Sequence, residues 1–247
     1  MKQVDVVIVG AGFSGLYLMH RCLQANRTAV VLEQGSDVGG TWYWNRYPGA
    51  RCDAESLAYS FSFSSELEQE WTWSERYAPQ PEILDYARHV ADKFGIRPHI
   101  RFNARVTGAE WNGDDARWTV TTEQGESYSG RHCVMATGCL SVPQLPDIEG
   151  LDSFEGARYQ ASRWPHEPVS FKGQRVGIIG TGSSGIQSIP VIAAEAEHLT
   201  VFQRTPNFSV PAKNSSLDNA WVAAFKANYA AHRHNHRIGN GSGFGDL

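Results

Sequence analysis

Two short glycine clusters in this chain have the spacing needed to hold a pyrophosphate. Gly10-Ala-Gly12-Phe13-Ser14-Gly15 lies near the start, and Gly180-Thr181-Gly182-Ser183-Ser184-Gly185 repeats the pattern further on. In each, the first glycine allows a tight turn, the second lets a pyrophosphate approach the backbone, and the third lets the next helix pack closely. The start of that helix adds N–H groups and a partial positive charge. The residues downstream of the two clusters differ. Glu33 comes after the first at roughly the 20-residue spacing of a ribose-hydroxyl acceptor. The second is followed by Gln203-Arg204-Thr205. An acid there repels a 2′-phosphate, whereas an arginine grips it with two parallel charge-assisted bonds, so the second cluster reads as a site for NADPH rather than NADH. Two such sites on one polypeptide imply one fixed redox cofactor and one exchangeable donor, a flavoprotein layout.

Between them lies Gly39-Gly-Thr-Trp-Tyr-Trp-Asn-Arg-Tyr-Pro-Gly-Ala-Arg-Cys-Asp53. Gly39 and Gly40 permit backbone close to a ligand. Trp42, Tyr43, Trp44 and Tyr47 supply flat rings that either cover an isoalloxazine or fill core, and periodicity does not choose. Asp53 is either a turn residue or a site carboxylate. Near the other end, His232, His234 and His236 suggest a metal set, but no cysteine or carboxylate completes one. A solvated basic helix end without metal is expected. The four cysteines, Cys22, Cys52, Cys133 and Cys139, have no metal or redox spacing and read as reduced thiols.

The elements that must position these residues follow from apolar period and breakers. Residues 4–9 read as a strand, 16–25 as a helix and 29–32 as a second strand. Residues 66–77 read as an exposed polar and aromatic loop. An apolar stripe at 3-4 spacing predicts a helix over 81–94, stopped by Gly95. Alternation at 100–106, 109–111, 118–122 and 127–128 predicts a small antiparallel meander, and 134–136 a buried strand running into Thr137-Gly138. Residues 175–179 and 199–202 read as strands around a helix at 186–196, and 218–231 as a last helix. The fold class is α/β, with two Rossmann-like dinucleotide-binding domains. At 247 residues, 41% hydrophobic, 19% charged and net charge −4, the composition favours neither nucleic acid nor a membrane. The apolar run at the N-terminus is too short for a signal peptide, which points to the cytoplasm.

Taken together the motifs resemble a type I Baeyer–Villiger monooxygenase of the phenylacetone and steroid monooxygenase branch. The likeness rests on the 39–53 string, on Ala136-Thr-Gly-Cys-Leu-Ser-Val-Pro-Gln-Leu-Pro146 and on Val201-Phe-Gln-Arg-Thr-Pro206, and runs from Asp5 to about Pro211. The family fingerprint F-x-G-x-x-x-H-x-x-x-W-P is kept at Phe154, Gly156, Trp164 and Pro165, but Gln160 stands where the histidine belongs. An amide cannot carry an imidazolium's charge, though it still hydrogen-bonds. The ending Trp-Pro favours this family over flavin N- and S-oxidases.

The resemblance implies an FAD domain at 1–145, a linker at 146–165 and an NADPH domain at 166–247, both domains incomplete because family members are much longer. FAD would be held by Gly10, Gly12, Phe13, Ser14, Gly15, Glu33, Gly40, Thr41, Trp42, Asp53, Val106, Thr137 and Gly138. NADPH would be held by Gly180, Thr181, Gly182, Ser183, Ser184, Gly185, Arg204 and Thr205. Phe154, Gly156, Gln160, Trp164 and Pro165 would couple the two. Asp53 would orient a catalytic arginine that is not in this chain. The implied reaction uses NADPH and O2 to turn a ketone into an ester or lactone through a C4a-peroxyflavin, with a second polypeptide as a candidate carrier of the remaining half. The alternatives are a flavin N- or S-oxygenase, an NADPH oxidase, or a non-catalytic nucleotide-binding remnant.

Overall fold

The apolar run at the start of the chain becomes β1 (Lys2–Val9), whose last four residues are buried. A strand covered on both faces reads as a continuous apolar run rather than an alternating one. The computed structural model describes residues 1–140 and 142–238. After β1 come α1 (Phe13–Gln24), β2 (Ala29–Leu32), α2 (Thr41–Trp44), α3 (Ser65–Glu70), α4 (Gln80–Lys93), β3 (Ile100–Arg101), β4 (Val106–Asn112), β5 (Arg117–Thr122) and β6 (Ser127–Met135). The six strands form one sheet in the order β3-β2-β1-β6-β5-β4, parallel from β3 to β6 and antiparallel from β6 to β4. The chain continues with β7 (Arg175–Ile179), α5 (Ser183–Ala193), β8 (His198–Phe202), α6 (Asn219–Ala227) and α7 (Tyr229–Ile238).

Two compact units result. One joins Met1–Arg46 to Ile83–His166; the other joins Tyr47–Glu82 to the chain from Glu167 onward. This grouping does not follow chain order, because residues 47–82 lie inside the stretch assigned to the first domain from sequence.

In the first unit, α1 buries Leu16, Met19 and Cys22 at helical spacing. α4 does the same with Ile83, Leu84, Ala87, Val90 and Ala91, and Gly95 ends it at φ +62°. Val7, Val30, Leu32, Ala104, Val120 and Tyr128 fill a further cluster, with Val106 packed against it. Burying a side chain such as Leu16 contributes about 2 kcal/mol relative to exposure.

Several expectations are corrected here. Residues 100–101 pair in parallel with β2 instead of opening the meander; Ile100 is buried at that edge of the sheet. Residues 127–128 and 134–136 are not separate pieces. A single strand, β6, pairs antiparallel with β5 at its start and parallel with β1 along its length. Its end is not buried either: Val134 is 36% and Met135 60% exposed.

In the second unit, β7 and β8 pair in parallel beside α5. Residues 66–77 are not an exposed loop, since α3 extends into them as far as Glu70 and Leu67 and Trp73 are buried. The covering comes from far along the chain. Arg76 N donates to Ser215 O at 3.0 Å and Leu217 N to Ser74 O at 3.1 Å. Lys226 Nζ donates to the carbonyls of Gln69 and Trp71, Tyr229 Oη to Leu57 O at 2.6 Å, and Arg233 pairs with Glu68 at 3.0 Å. The predicted helix at 218–231 is two helices that meet at Asn228. At that helix end His232 is half-buried and stacks on Phe225 with ring centroids 4.1 Å apart, while His234 is exposed. No helix among the described residues is long and apolar enough to cross a membrane.

Candidate functional site

The first glycine cluster sits where β1, β2 and β6 end together. Val9 is in register with Leu32 on one side and Met135 on the other. Gly10 N donates to Leu32 O at 2.8 Å, and Ala136 N donates to Val9 O at 2.9 Å. Gly10 turns the chain at φ +106°, and a Cβ there would lie 2.7 Å from Ala136 O. The turn therefore brings Thr137 beside the loop, its Cα 3.5 Å from where a Cβ on Gly10 would lie, while Gly138 follows at φ +68°.

α1 then starts from Gly12 with no side-chain capping bond, which leaves the helix start suited to an anion. Glu33, past the end of β2, is buried. Its Oε2 accepts from Ala11 N at 2.6 Å and its Oε1 from Gly35 N at 2.7 Å. A carboxylate oxygen has two acceptor positions, so each keeps one for a ribose hydroxyl.

Gly40 completes this loop. Gly39 N donates to Ala11 O at 3.0 Å, and a Cβ on Gly40 would lie 2.8 Å from Gly12 Cα. The two glycine segments thus touch backbone to backbone. The following aromatic residues form the short helix α2, not a loop. Trp42 and Tyr43 are buried, with Tyr43 Oη bonded to Ser36 Oγ at 2.9 Å and its ring edge-on to Trp44 at 4.8 Å. Those two rings fill core. Thr41 stays exposed.

The second cluster repeats the geometry. Gly180 N donates to Phe202 O at 2.9 Å, Gly180 has φ +101°, and α5 starts from Gly182 without a side-chain cap. Gln203 takes the place of Glu33, and its Nε2 donates to Thr181 Oγ1 at 2.8 Å. No carboxylate charge therefore stands at this position. Arg204 and Thr205 are exposed, so the guanidinium faces solvent with its five donors available to a phosphate. A Cβ on Gly182 would meet nothing within 4 Å, leaving room for a pyrophosphate.

Among the remaining residues marked from sequence, Asp53 is exposed and lies in the second unit. Val106 packs against the sheet-core cluster. Phe154 is 61% exposed, and a Cβ on Gly156 would meet the Phe154 ring at 2.6 Å. Gln160 Nε2 donates to Gln144 O at 2.7 Å. Its Oε1 is shielded from solvent and finds no partner among the described residues. Trp164 packs against Tyr159 at 5.3 Å, and Pro165 is half-buried.

The family model for pyridine nucleotide-disulphide oxidoreductases matches residues 7–236, which takes in both glycine clusters. The chain belongs to that family. Within it, the likeness to Baeyer–Villiger monooxygenases is borne out. The chain is 44% identical over 226 residues to a Baeyer–Villiger monooxygenase of Pseudooceanicola batsensis, a match covering 91% of this chain and 41% of that protein. The solved structure of oxidised steroid monooxygenase bound to NADP is 56% identical, with a TM-score of 0.92, over 96% of this chain and 45% of that one. The OTEMO complex with FAD and NADP is 43% identical, with a TM-score of 0.91, over 95% and 45%. The chain thus spans less than half the length of these relatives, and it shares its α/β fold with the part of each solved structure that it matches.

Gln187 of α5 was missed from sequence. Its side chain bonds to Tyr47 and Arg51, but its position inside a helix gives no signal of that.

Proposed function

We propose that the protein carrying this chain is an FAD- and NADPH-dependent monooxygenase that converts a ketone to an ester or lactone with O2, and that this chain supplies both nucleotide-binding segments. One observation carries the reading: two glycine loops of matching geometry end in opposite chemistry. Glu33 presents a buried carboxylate at the first, while Gln203 and the exposed Arg204 stand at the second. An acid selects a free ribose hydroxyl, and a neutral residue followed by arginine admits a 2′-phosphate. The first loop takes FAD and the second NADPH, with domains at 1–145 and 166–247 joined by 146–165.

When bound, FAD supplies the redox and oxygen chemistry. This chain's residues bind and orient. Ala11, Gly12 and the start of α1 face the FAD pyrophosphate, and Glu33 takes the ribose. The Gly39-Gly40 segment, seated on Gly12, closes the loop, and Thr137 flanks it. Gly182 and the start of α5 receive the NADPH pyrophosphate, and Arg204 with Thr205 receives the 2′-phosphate. Asp53 offers an exposed carboxylate that positions a cation from the rest of the protein. Gln160 serves in the coupling segment as a neutral hydrogen-bonding group, its Oε1, without a partner among the described residues, ready for a donor. The protein acts in the cytoplasm.

Intact-mass spectrometry under denaturing conditions, paired with an absorbance spectrum of the native sample, is the first test. A flavin spectrum, followed by ketone-dependent NADPH consumption with ester or lactone in the product, is the expected result. Material that binds neither nucleotide would overturn the reading. NADPH oxidation that yields only peroxide with every ketone tried would reduce the proposal to an oxidase.

A further inference from the structure

We propose that Gln187 is a positioning residue that transmits occupancy of the second glycine loop to the run Tyr47–Asp53. The inference rests on the proposed binding of NADP(H) at that second loop.

The connection is built from both the side chain and the backbone of Gln187. Gln187 lies two residues past Gly185, near the start of the helix. Its Oε1 accepts from Tyr47 Oη at 2.9 Å and from Arg51 N at 3.3 Å, and its Nε2 donates to Arg51 O at 3.1 Å. The amide thereby satisfies both backbone groups of Arg51, as a neighbouring strand would. Three of its four hydrogen-bonding positions are used, and the Arg51 N–H fixes which end of the amide is the oxygen. The backbone of Gln187 is engaged as well. A Cβ on Gly49 would lie 2.3 Å from Gln187 O, and Gly49 has φ +78°, so only glycine lets the run approach α5 this closely.

The other side of the run is pinned. Cys52 N donates to Ala78 O at 3.1 Å, Gln80 N to Ala50 O at 2.8 Å, and Arg51 Nη1 to Glu75 at 2.9 Å. Asp53 comes directly after and is exposed. A phosphate that fixes the first turn of α5 therefore also fixes Gln187, and Gln187 fixes Arg51, two residues before the carboxylate. Release of the nucleotide loosens the same chain of bonds in the reverse order.

Cys52 reports on this run. It is buried, and burial pushes its thiol up to about 11, so alkylation requires the run to detach. Cys139 is exposed and serves as a control in the same sample. The intact protein is treated with iodoacetamide with and without NADP+, and each cysteine is quantified by peptide mass spectrometry. NADP+ binding is measured separately by equilibrium dialysis. Saturating NADP+ should slow Cys52 alkylation about fivefold, the lower end of ordinary coupling between sites, and leave Cys139 unchanged. Gln187→Leu should speed Cys52 alkylation without ligand about tenfold, the scale of one to two lost amide hydrogen bonds, and abolish the NADP+ effect. Gln187→Glu keeps the two acceptor bonds and should retain part of that effect, which a merely space-filling role would not produce. NADP+ that binds without changing Cys52 in the unmutated protein would overturn the inference while leaving the second-site reading intact. So would a Gln187→Leu variant that binds NADP+ and keeps the full effect. Failure of NADP+ to bind would remove both.

Discussion

The two glycine loops are the same object in two settings. Gly10 and Gly180 have φ +106° and +101°, and both helices start from a glycine without a side-chain cap. Each first glycine donates to the last residue of the neighbouring parallel strand. Around the first loop, however, Ala136 presses on Gly10 and Gly40 on Gly12, and β1 sits inside six strands. Around the second, a Cβ on Gly180 or Gly182 would meet nothing within 4 Å. Its two strands leave Ile179 71% and Phe202 56% exposed. The turn and helix start are therefore set by local sequence, whereas the packing that makes them rigid is supplied by segments far away along the chain.

The largest contrast should come from alanine at the turning glycines. Gly10→Ala combines an unfavourable φ with a backbone clash and should cost about 4 kcal/mol, the sum of a strained residue and an overpacked contact. Gly180→Ala carries the strain alone and should cost about 2 kcal/mol. Denaturant unfolding followed by circular dichroism, with hydrogen exchange in α1 and α5 to localise the loss, measures both. Equal losses would mean that the first loop's surroundings add nothing.

The next contrast lies one residue beyond each cluster. Leu16 is fully buried and Ile186 is 42% exposed. Leu16→Ala should cost about 3 kcal/mol through lost transfer energy and the cavity left behind. Ile186→Ala should cost under about 1 kcal/mol, as for a partly exposed site. The same unfolding experiment applies. A large loss at Ile186 would show that its exposed face is covered in solution.

What could be read from sequence divides along the same line. The bounds of β2, the glycine turns and the stripe of α4 were legible, because each depends on residues within a few positions of one another. Glu33 was legible as an acid at the right spacing, but not as a clamp on Ala11 and Gly35, which takes tertiary geometry. Trp42 and Tyr43 were ambiguous between ligand cover and core, and burial decides for core. The packing of the run 47–82 was not legible because its partners are Ser215, Leu217, Lys226, Tyr229 and Arg233. No periodicity within 47–82 encodes a bond to a residue more than a hundred positions later. Gln187 escaped for the same reason, and Asp53 went with the run to the second unit.

The smallest contrast concerns the segments that leave the two sites. Past Glu33, the chain is braced by Asp37, which accepts from Arg88 Nε at 2.7 Å, Arg97 Nη1 at 2.8 Å and Val38 N at 2.8 Å. Past Gln203, residues 204–213 are all exposed. Burial alone would raise the Asp37 carboxyl, but the bonds from Arg97 and Arg88 outweigh it and hold the group below its ordinary 3.8. A carboxyl lowered by folding stabilises the folded state above its unfolded value, and that contribution is lost as pH falls through the lowered one. Asp37→Asn should therefore cost about 1 kcal/mol at neutral pH, since both arginines are partly exposed and the pairs are screened. The gap between variant and parent should stay constant down to about pH 5 and narrow as pH drops through and below 3.8. Hydrogen exchange should place the loss in the segment from Glu33 to Gly40 and leave the second site untouched. A gap that persists unchanged in strong acid would show that Asp37 acts by shape rather than charge.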